Sequence, residues 1–288
     1  MKSLTLKKMF ALMMVLVMVL GCFAGCGGGE AEEEETGGDA AVTDTSLQDI
    51  LDKGVITVAI SPDYAPYEYL DLMTGEIKGS DIVLAQYIAD ELGVELKIDQ
   101  MSFESCLAAA ELGTSDLAIS SLSWSEDRAE VMELSSYYNM DTSIAQTILV
   151  KADEVDNYKT AADFTGKKIA AQNGTTQWNL TTSQIPEVEA QPISLMNDGI
   201  LMLMEGKVDG LACQTDVAQS FAVNYDEVAV PEFLFDFEEL GNVVATKKGN
   251  TALIEAVSAI IDQQEAEGLY AEWIAAAIED ADAQGLLD

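Results

Sequence analysis

The sequence contains no histidine. That absence removes His-dependent catalytic triads, histidine proton shuttles and most zinc enzymes. Basic residues are scarce as well: 14 lysines and arginines stand against 51 acidic residues, a formal charge of −37. A chain this acidic repels phosphate backbones and anionic membrane surfaces, which excludes nucleic acid as a partner. Asp/Glu chemistry, oxygen-ligand metal sites and pure binding survive these filters. The 288 residues are 49% apolar and 23% charged, enough core for one large domain or two of ordinary size.

No apolar run is comfortably long enough to span a bilayer, which takes about 20 residues. Lys2, Lys7 and Lys8 precede the run Met9 to Leu20, and a basic start before a short apolar core reads as an export signal. Val19-Leu20-Gly21-Cys22 and Phe23-Ala24-Gly25-Cys26 both resemble the lipobox of bacterial lipoproteins. That resemblance implies a diacylglyceryl group on the Cys, which becomes the new N-terminus. Cys26 is favoured, with Cys22 as the second choice, because Gly27-Gly28-Gly29 and the acidic stretch Glu30 to Glu35 follow it. Glycine-rich, self-repelling segments make tethers rather than structure. The mature chain would then sit outside the cytoplasmic membrane.

Only Cys106 and Cys213 remain beyond this region, each in an apolar run, which favours buried free thiols over a bridge. From about Ser46 strand and helix patterns alternate. Val55 to Ile60 reads as a buried strand, and Ser80 or Asp81 opens a helix that Gly93 stops. Val94 to Ile98, a helix around Cys106 to Leu112, and the strand Leu117 to Ser120 complete a β-α-β-α-β unit. Lys168 to Ala171, Val188 to Pro192 and Gly210 to Cys213 read as strands of a second unit, with Met196 to Glu205 as a helix. Thr251 to Glu267 and Tyr270 to Ile278 read as closing helices. Such alternation indicates open, largely parallel sheets, whose binding sites lie beyond the carboxyl ends of strands.

The loops at those ends carry a pattern. Tyr64-Ala65-Pro66-Tyr67-Glu68 follows the first strand, and Gly79-Ser80-Asp81 comes after it. Then come Ser120-Ser121-Leu122-Ser123-Trp124-Ser125-Glu126-Asp127-Arg128 and Gln172-Asn173-Gly174-Thr175-Thr176-Gln177, with Lys247-Lys248-Gly249-Asn250 before the final helices. From about Ser46 to Trp273 the chain resembles the extracytoplasmic solute-binding proteins of amino-acid ABC importers, the family of the histidine- and glutamine-binding proteins. The resemblance implies an α/β, two-lobed periplasmic-binding-protein fold of type II, each lobe an open, mostly parallel sheet flanked by helices. It divides the chain into a lipoprotein signal peptide (1–25), an acidic Gly-rich tether (26–45), one lobe from 46–140 and 242–288, and a second from 141–241. The hinge would run near Asn139 to Ile144 and Leu240 to Ala245.

The family's ligand contacts transfer residue by residue. Arg128 matches the position that pairs with a ligand α-carboxylate, a task suited to a planar guanidinium making two parallel charge-assisted bonds. It is the one arginine among the chain's 14 basic residues, and a solvated surface cation could equally have been a lysine. Ser121 and Ser123 match head-group contacts. Thr176, at a helix start where free N–H groups favour an anion, matches the second carboxylate contact. Tyr64 and Phe103 match positions flanking the ligand side chain, although a lone aromatic is more often core. Trp124 should point away from Ser123 and serve as a rim or core residue.

Two departures from the family bear on the ligand. Where many members carry an aspartate for the α-ammonium, this chain has Gln214, with Asp216 nearby. Where binders of basic amino acids carry an early acidic residue, it has Ser61, with Asp63 two places on. The expectation is therefore a neutral or polar amino acid, or a related small carboxylate, delivered to ABC permease subunits by a lipid-anchored monomer. No cofactor, metal or catalytic residue is expected. Two other classes stay open: an enzyme on the same fold, cyclohexadienyl-dehydratase-like, where only carboxylates such as Asp63, Glu68 or Asp216 could act as general acid, and an extracellular sensor with no transport role.

Overall fold

The computed structural model describes residues 44–71, 73–140, 144–238 and 240–284. The export signal, both candidate lipidation cysteines (Cys22 and Cys26) and nearly all of the tether lie outside the described residues. Helix α1 (Ser46–Lys53) leads into strand β1 (Val55–Ile60). Three short strands, β2 (Asp63–Tyr64), β3 (Glu68–Leu70) and β4 (Ile77–Lys78), pair antiparallel in a small sheet of their own. Next come α2 (Ser80–Leu92), β5 (Glu95–Gln100), α3 (Phe103–Leu112), β6 (Leu117–Ala118), α4 (Glu126–Val131) and β7 (Met132–Leu134). Strand β8 (Gln146–Lys151) starts a second series: β9 (Lys168–Gln172), α5 (Thr176–Gln184), β10 (Glu189–Ile193), α6 (Met196–Met204), β11 (Gly210–Gln214), α7 (Thr215–Asn224) and β12 (Val228–Ala229). Strand β13 (Ala245–Lys247) and helices α8 (Thr251–Glu267) and α9 (Leu269–Ala283) close the chain's described part.

Two five-stranded sheets organise these elements, in the orders β5-β1-β6-β13-β7 and β10-β9-β11-β8-β12. In each, the fourth strand is antiparallel to its neighbours and the rest share one direction. That odd strand is the first to arrive after the chain has left the other sheet. The β-branched run of β1 suits a strand covered on both faces. Ile56, Val58 and Ile60 are fully buried, each removal from water being worth about 1.5–3 kcal/mol. Leu84, Ile88, Val257 and Ile261 from α2 and α8 pack among them, while Phe103, Cys106, Leu122 and Val243 belong to the cluster containing Ala59 and Ala118. The second sheet is covered likewise, with Leu149, Ile200 and Leu203 in one cluster and Ile148, Phe164 and Phe233 in another. Helices covering both faces of a mostly parallel sheet make a doubly wound α/β architecture. The two-lobed type II fold is therefore present.

Several expected boundaries move. The strand expected to reach Ser120 ends at Ala118, because the chain turns sharply at Ser121, which has a left-handed φ of 48°. Helix α3 starts at Phe103, so that aromatic is the first residue of a helix and not part of the preceding loop. Where the chain passes between the sheets, Tyr138 and Asn242 form an isolated antiparallel bridge and Asn139 Nδ2 donates to Asn242 Oδ1 at 2.9 Å. The two crossing segments thus lie side by side; residues 141–143 of the expected hinge lie outside the described residues. Cys106 and Cys213 are free and buried, one on α3 and one on β11. Among the described residues no helix is long and apolar enough to cross a membrane.

Candidate functional site

A pocket opens between the carboxyl ends of strands from both sheets. It is lined from one side by Ser61, Asp63, Tyr64, Glu68, Phe103, Ser120, Ser121, Ser123 and Arg128, and from the other by Gln172, Thr175, Thr176, Gln177 and Gln214. The empty space between its walls is about 370 Å³, part of it open to solvent. All seven residues singled out in the sequence, Tyr64, Phe103, Ser121, Ser123, Arg128, Thr176 and Gln214, come together on its walls.

Arg128 sits on the short helix α4, whose cap, Ser125, accepts the Arg128 backbone N–H at 3.3 Å. Arg128 is only 8% exposed, and its guanidinium donates to Ser123 O and, at 3.1 Å, to Gly174 O in the other half. The Phe103 ring lies 5.7 Å from Arg128 Cζ, within cation–π range. Opposite stands the start of α5. Thr175 caps it by accepting from Trp178 N at 3.1 Å, and Thr176 is its first helical residue. A cation and a helix N-terminus therefore face one pocket, a pairing that favours an anion between them.

The left-handed Ser121 is held by a buried carboxylate: Asp81 Oδ2 accepts its N–H at 2.7 Å and the Tyr138 hydroxyl at 3.0 Å, and Asp81 Oδ1 accepts the Tyr270 hydroxyl at 2.7 Å. Glu68 lies beside it, accepting from Ser120 Oγ at 2.9 Å. Burial, and after it the Asp81 charge, pushes the Glu68 carboxyl well above the carboxylate range. Burial raises Asp81 too, but the Ser121 N–H, the two phenols and a hydrogen bond from Glu68 pull against it. Of the two, Glu68 is pushed further toward its neutral form, while the donors around Asp81 favour the charge there.

Asp63 is also raised by burial, against bonds from Met196 N, Ser61 and Gln172. Gln214 is 2% exposed, and its Oε1 accepts no hydrogen bond among the described residues, although its backbone N–H donates to the Tyr64 hydroxyl at 3.2 Å. Asp216 does not line the pocket. Its Oδ2 takes the Tyr67 hydroxyl at 2.6 Å and it lines a separate cavity. Trp124 is half-exposed and is not part of the pocket wall.

Sequence reasoning missed Ser120, Thr175, Gln177 and above all Gln172 as wall residues. Gln172 had a usable signal, since it ends a strand and precedes Asn173-Gly174, where an open sheet places its crevice. Glu68 carried no such signal, because nothing local to a Tyr-Glu-Tyr strand reports that its carboxylate is buried. Among the described residues no cluster of three or more acidic or cysteine side chains is arranged to hold a metal ion.

The comparisons with known proteins agree with this architecture. The family model described as bacterial extracellular solute-binding proteins, family 3, matches residues 56–277. ABC transporter arginine-binding protein 1 of Escherichia coli (strain K12) is 26% identical over 218 residues, covering 75% of this chain and 87% of that protein. ABC transporter glutamine-binding protein GlnH of Bacillus subtilis (strain 168) is 25% identical over 284 residues, covering 93% and 98%. Among solved structures, the amino acid ABC transporter substrate-binding protein AbpA from Streptococcus pneumoniae Canada MDR_19A, bound to L-arginine, superposes with a TM-score of 0.77 at 31% identity. That match covers 84% of this chain and 99% of AbpA.

Proposed function

The chain belongs to the bacterial extracellular solute-binding proteins, family 3, and from that membership we propose that it captures a free amino acid with a neutral or polar side chain and delivers it to an ABC permease. The observation that carries this reading is the buried guanidinium of Arg128, the chain's one arginine, set in the pocket across from the start of α5. It takes the α-carboxylate as a bidentate partner, with Ser123 and Thr176 completing the grip. Gln214 Oε1 and Ser121 receive the amino group, and Tyr64 and Phe103 flank the side chain. Neutral ligands are favoured because the pocket offers little free negative charge. Burial and the Asp81 charge push Glu68 toward its neutral form, and Asp63 already accepts from Ser61 Oγ, Gln172 Nε2 and Met196 N.

The protein acts by binding, without catalysis or cofactor, as a monomer. Residues 46–140 and 242–288 form one lobe and 141–241 the other, hinged where Tyr138 and Asn139 run beside Asn242. A lipid on Cys26, or on Cys22, tethers it through 26–45 to the outer face of the cytoplasmic membrane, near its permease.

A thermal-shift screen of the twenty amino acids, followed by calorimetry on Arg128→Lys and Arg128→Ala, tests the reading. Losing one partner of a desolvated, hydrogen-bonded charge pair costs about 2–5 kcal/mol, roughly a thirty- to several-thousand-fold drop in affinity. Lysine keeps the charge and loses the fork, so it should restore little. An alanine variant within about threefold of wild type removes the carboxylate clamp, and L-arginine as the best ligand removes the neutral specificity.

A further inference from the structure

Helix α6 begins without a cap of its own. Its N-cap position is Leu195, and no side chain of that residue closes the first turn. Leucine is among the poorest N-caps, since it offers no oxygen to the free N–H groups. The missing acceptor comes from the other half of the molecule. Asp63 Oδ2, on β2, accepts the Met196 N–H at 2.9 Å and Gln172 Nε2 at 2.8 Å, while Ser61 Oγ steadies Oδ1 at 2.8 Å. A carboxylate at a helix N-terminus gains from the charge of the hydrogen bonds and from the helix dipole together.

Other polar contacts cross the same cleft: the Arg128 guanidinium to Gly174 O, the Tyr67 hydroxyl to Asp216 Oδ2, and the Gln214 N–H to the Tyr64 hydroxyl. Asp63 differs from these in kind. One of its oxygens ties a strand end and a helix start at once, and both donors belong to the second sheet's half. If the halves separate, α6 loses its only cap among the described residues and a buried carboxylate loses two of its three donors.

We propose that Asp63 is the latch of the closed clamp: it borrows the α6 N-terminus and Gln172 as a keeper, and it slows ligand release. The latch rests on the hinged-clamp reading given above, but its shape readout needs no knowledge of the ligand. Asp63→Ala removes it. Asp63→Asn keeps one oxygen acceptor without the charge and should fall between alanine and wild type. Gln172→Ala removes one keeper and leaves Asp63 in place, which keeps the test open if Asp63→Ala folds poorly.

Each protein, as the full mature chain, is measured by small-angle scattering and by amide exchange across Ser194 to Asp198. Both are recorded alone and with millimolar L-glutamine or L-arginine as probe, and probe release is followed by stopped-flow tryptophan fluorescence. Expected are a larger radius of gyration, faster exchange at Met196 and about ten- to a hundredfold faster release for Asp63→Ala, with little change in the association rate. Wild-type radius and wild-type Met196 exchange in the alanine variant, with and without probe, overturn the latch. So does weaker binding with the shape unchanged, which would make Asp63 a direct ligand contact. If the wild type answers to neither probe, the binding reading for those two amino acids fails, and the comparison of shape and exchange between wild type and variant still decides the latch.

Discussion

Replacing Glu68 with glutamine isolates what it costs to fold a protonated acid into this site. In the unfolded chain Glu68 titrates near 4.3 and is ionised at pH 7. In the folded chain it is 1% exposed, its pKa is raised well above the ordinary range by burial and then by the Asp81 charge, and its Oε1 accepts from Ser120 Oγ. A folded pKa above the unfolded one gives stability that is complete below the unfolded value and is lost as pH rises through the folded value. Wild type therefore gives up stability through this group on going from about pH 4 toward neutrality. pH 7 lies about 2.7 pH units above the unfolded value, and at about 1.36 kcal/mol for each the ceiling of the loss is roughly 3.7 kcal/mol. Glutamine presents the same shape, an N–H toward Asp81 and a carbonyl toward Ser120, and has no proton to acquire. Against this stand a weaker donor and one amide hydrogen with no partner, a cost of about 1–3 kcal/mol. The difference between Glu68→Gln and wild type should thus move in the variant's favour, by at most about 3 kcal/mol, between pH 4.5 and pH 7. Urea denaturation of both proteins across that range, without added amino acid, measures it, and the self-repulsion of a chain with 51 acidic residues largely cancels in the difference. A gap that stays constant with pH, or moves the other way, refutes the proton on Glu68.

Gly79→Ala should destabilise the protein by more than about 3 kcal/mol in the same assay, because a Cβ there would stand 2.1 Å from the Tyr67 carbonyl oxygen at a φ of 124°; a loss under about 0.5 kcal/mol would mean the backbone simply moves aside. Cys106 and Cys213 should resist iodoacetamide in the native protein, since burial pushes both thiols up, and both should label in denatured, unreduced protein. Protection after denaturation would mean a bridge. Mass spectrometry of membrane-associated protein should find lipid on Cys26 or Cys22, and a mature chain retaining Lys2 and Met9 would remove the anchor.

The parts of the fold legible in the sequence are those where a local pattern and the final environment agree. Thr251–Glu267 was readable to the residue, because its apolar stripe meets one core and Gly268 ends it in a left-handed turn. Strand β13 was not: three residues carry no period, and Ala245 to Lys247 becomes a strand only because β6 and β7 leave a gap to fill. The strands β2, β3 and β4 are shorter still and went unread for the same reason. In the pocket, residues of conspicuous type were visible, Arg128 by its rarity and the serines by their spacing. The buried acid pair of Glu68 and Asp81 and the capping role of Asp63 were invisible. Each depends on partners across the cleft or beneath the sheet that stand 40 to 189 positions away along the chain.

The placement of β13 reaches into how the molecule is made. The second sheet is contiguous, every strand lying between Gln146 and Ala229. The first has a slot between Ala118 and Leu134 that stays vacant until Ala245 arrives, more than a hundred residues later. Pairings so distant in sequence are slow to form, and a half-built sheet exposes unpaired edges meanwhile. As the chain emerges on the far side of a membrane, the later-synthesised half is free to complete itself first. The earlier half, which carries Arg128, must wait with an open seam for its last strand. A chaperone or protease that patrols newly exported protein would meet this seam, and a chain cut short before Ala245 would leave it open for good.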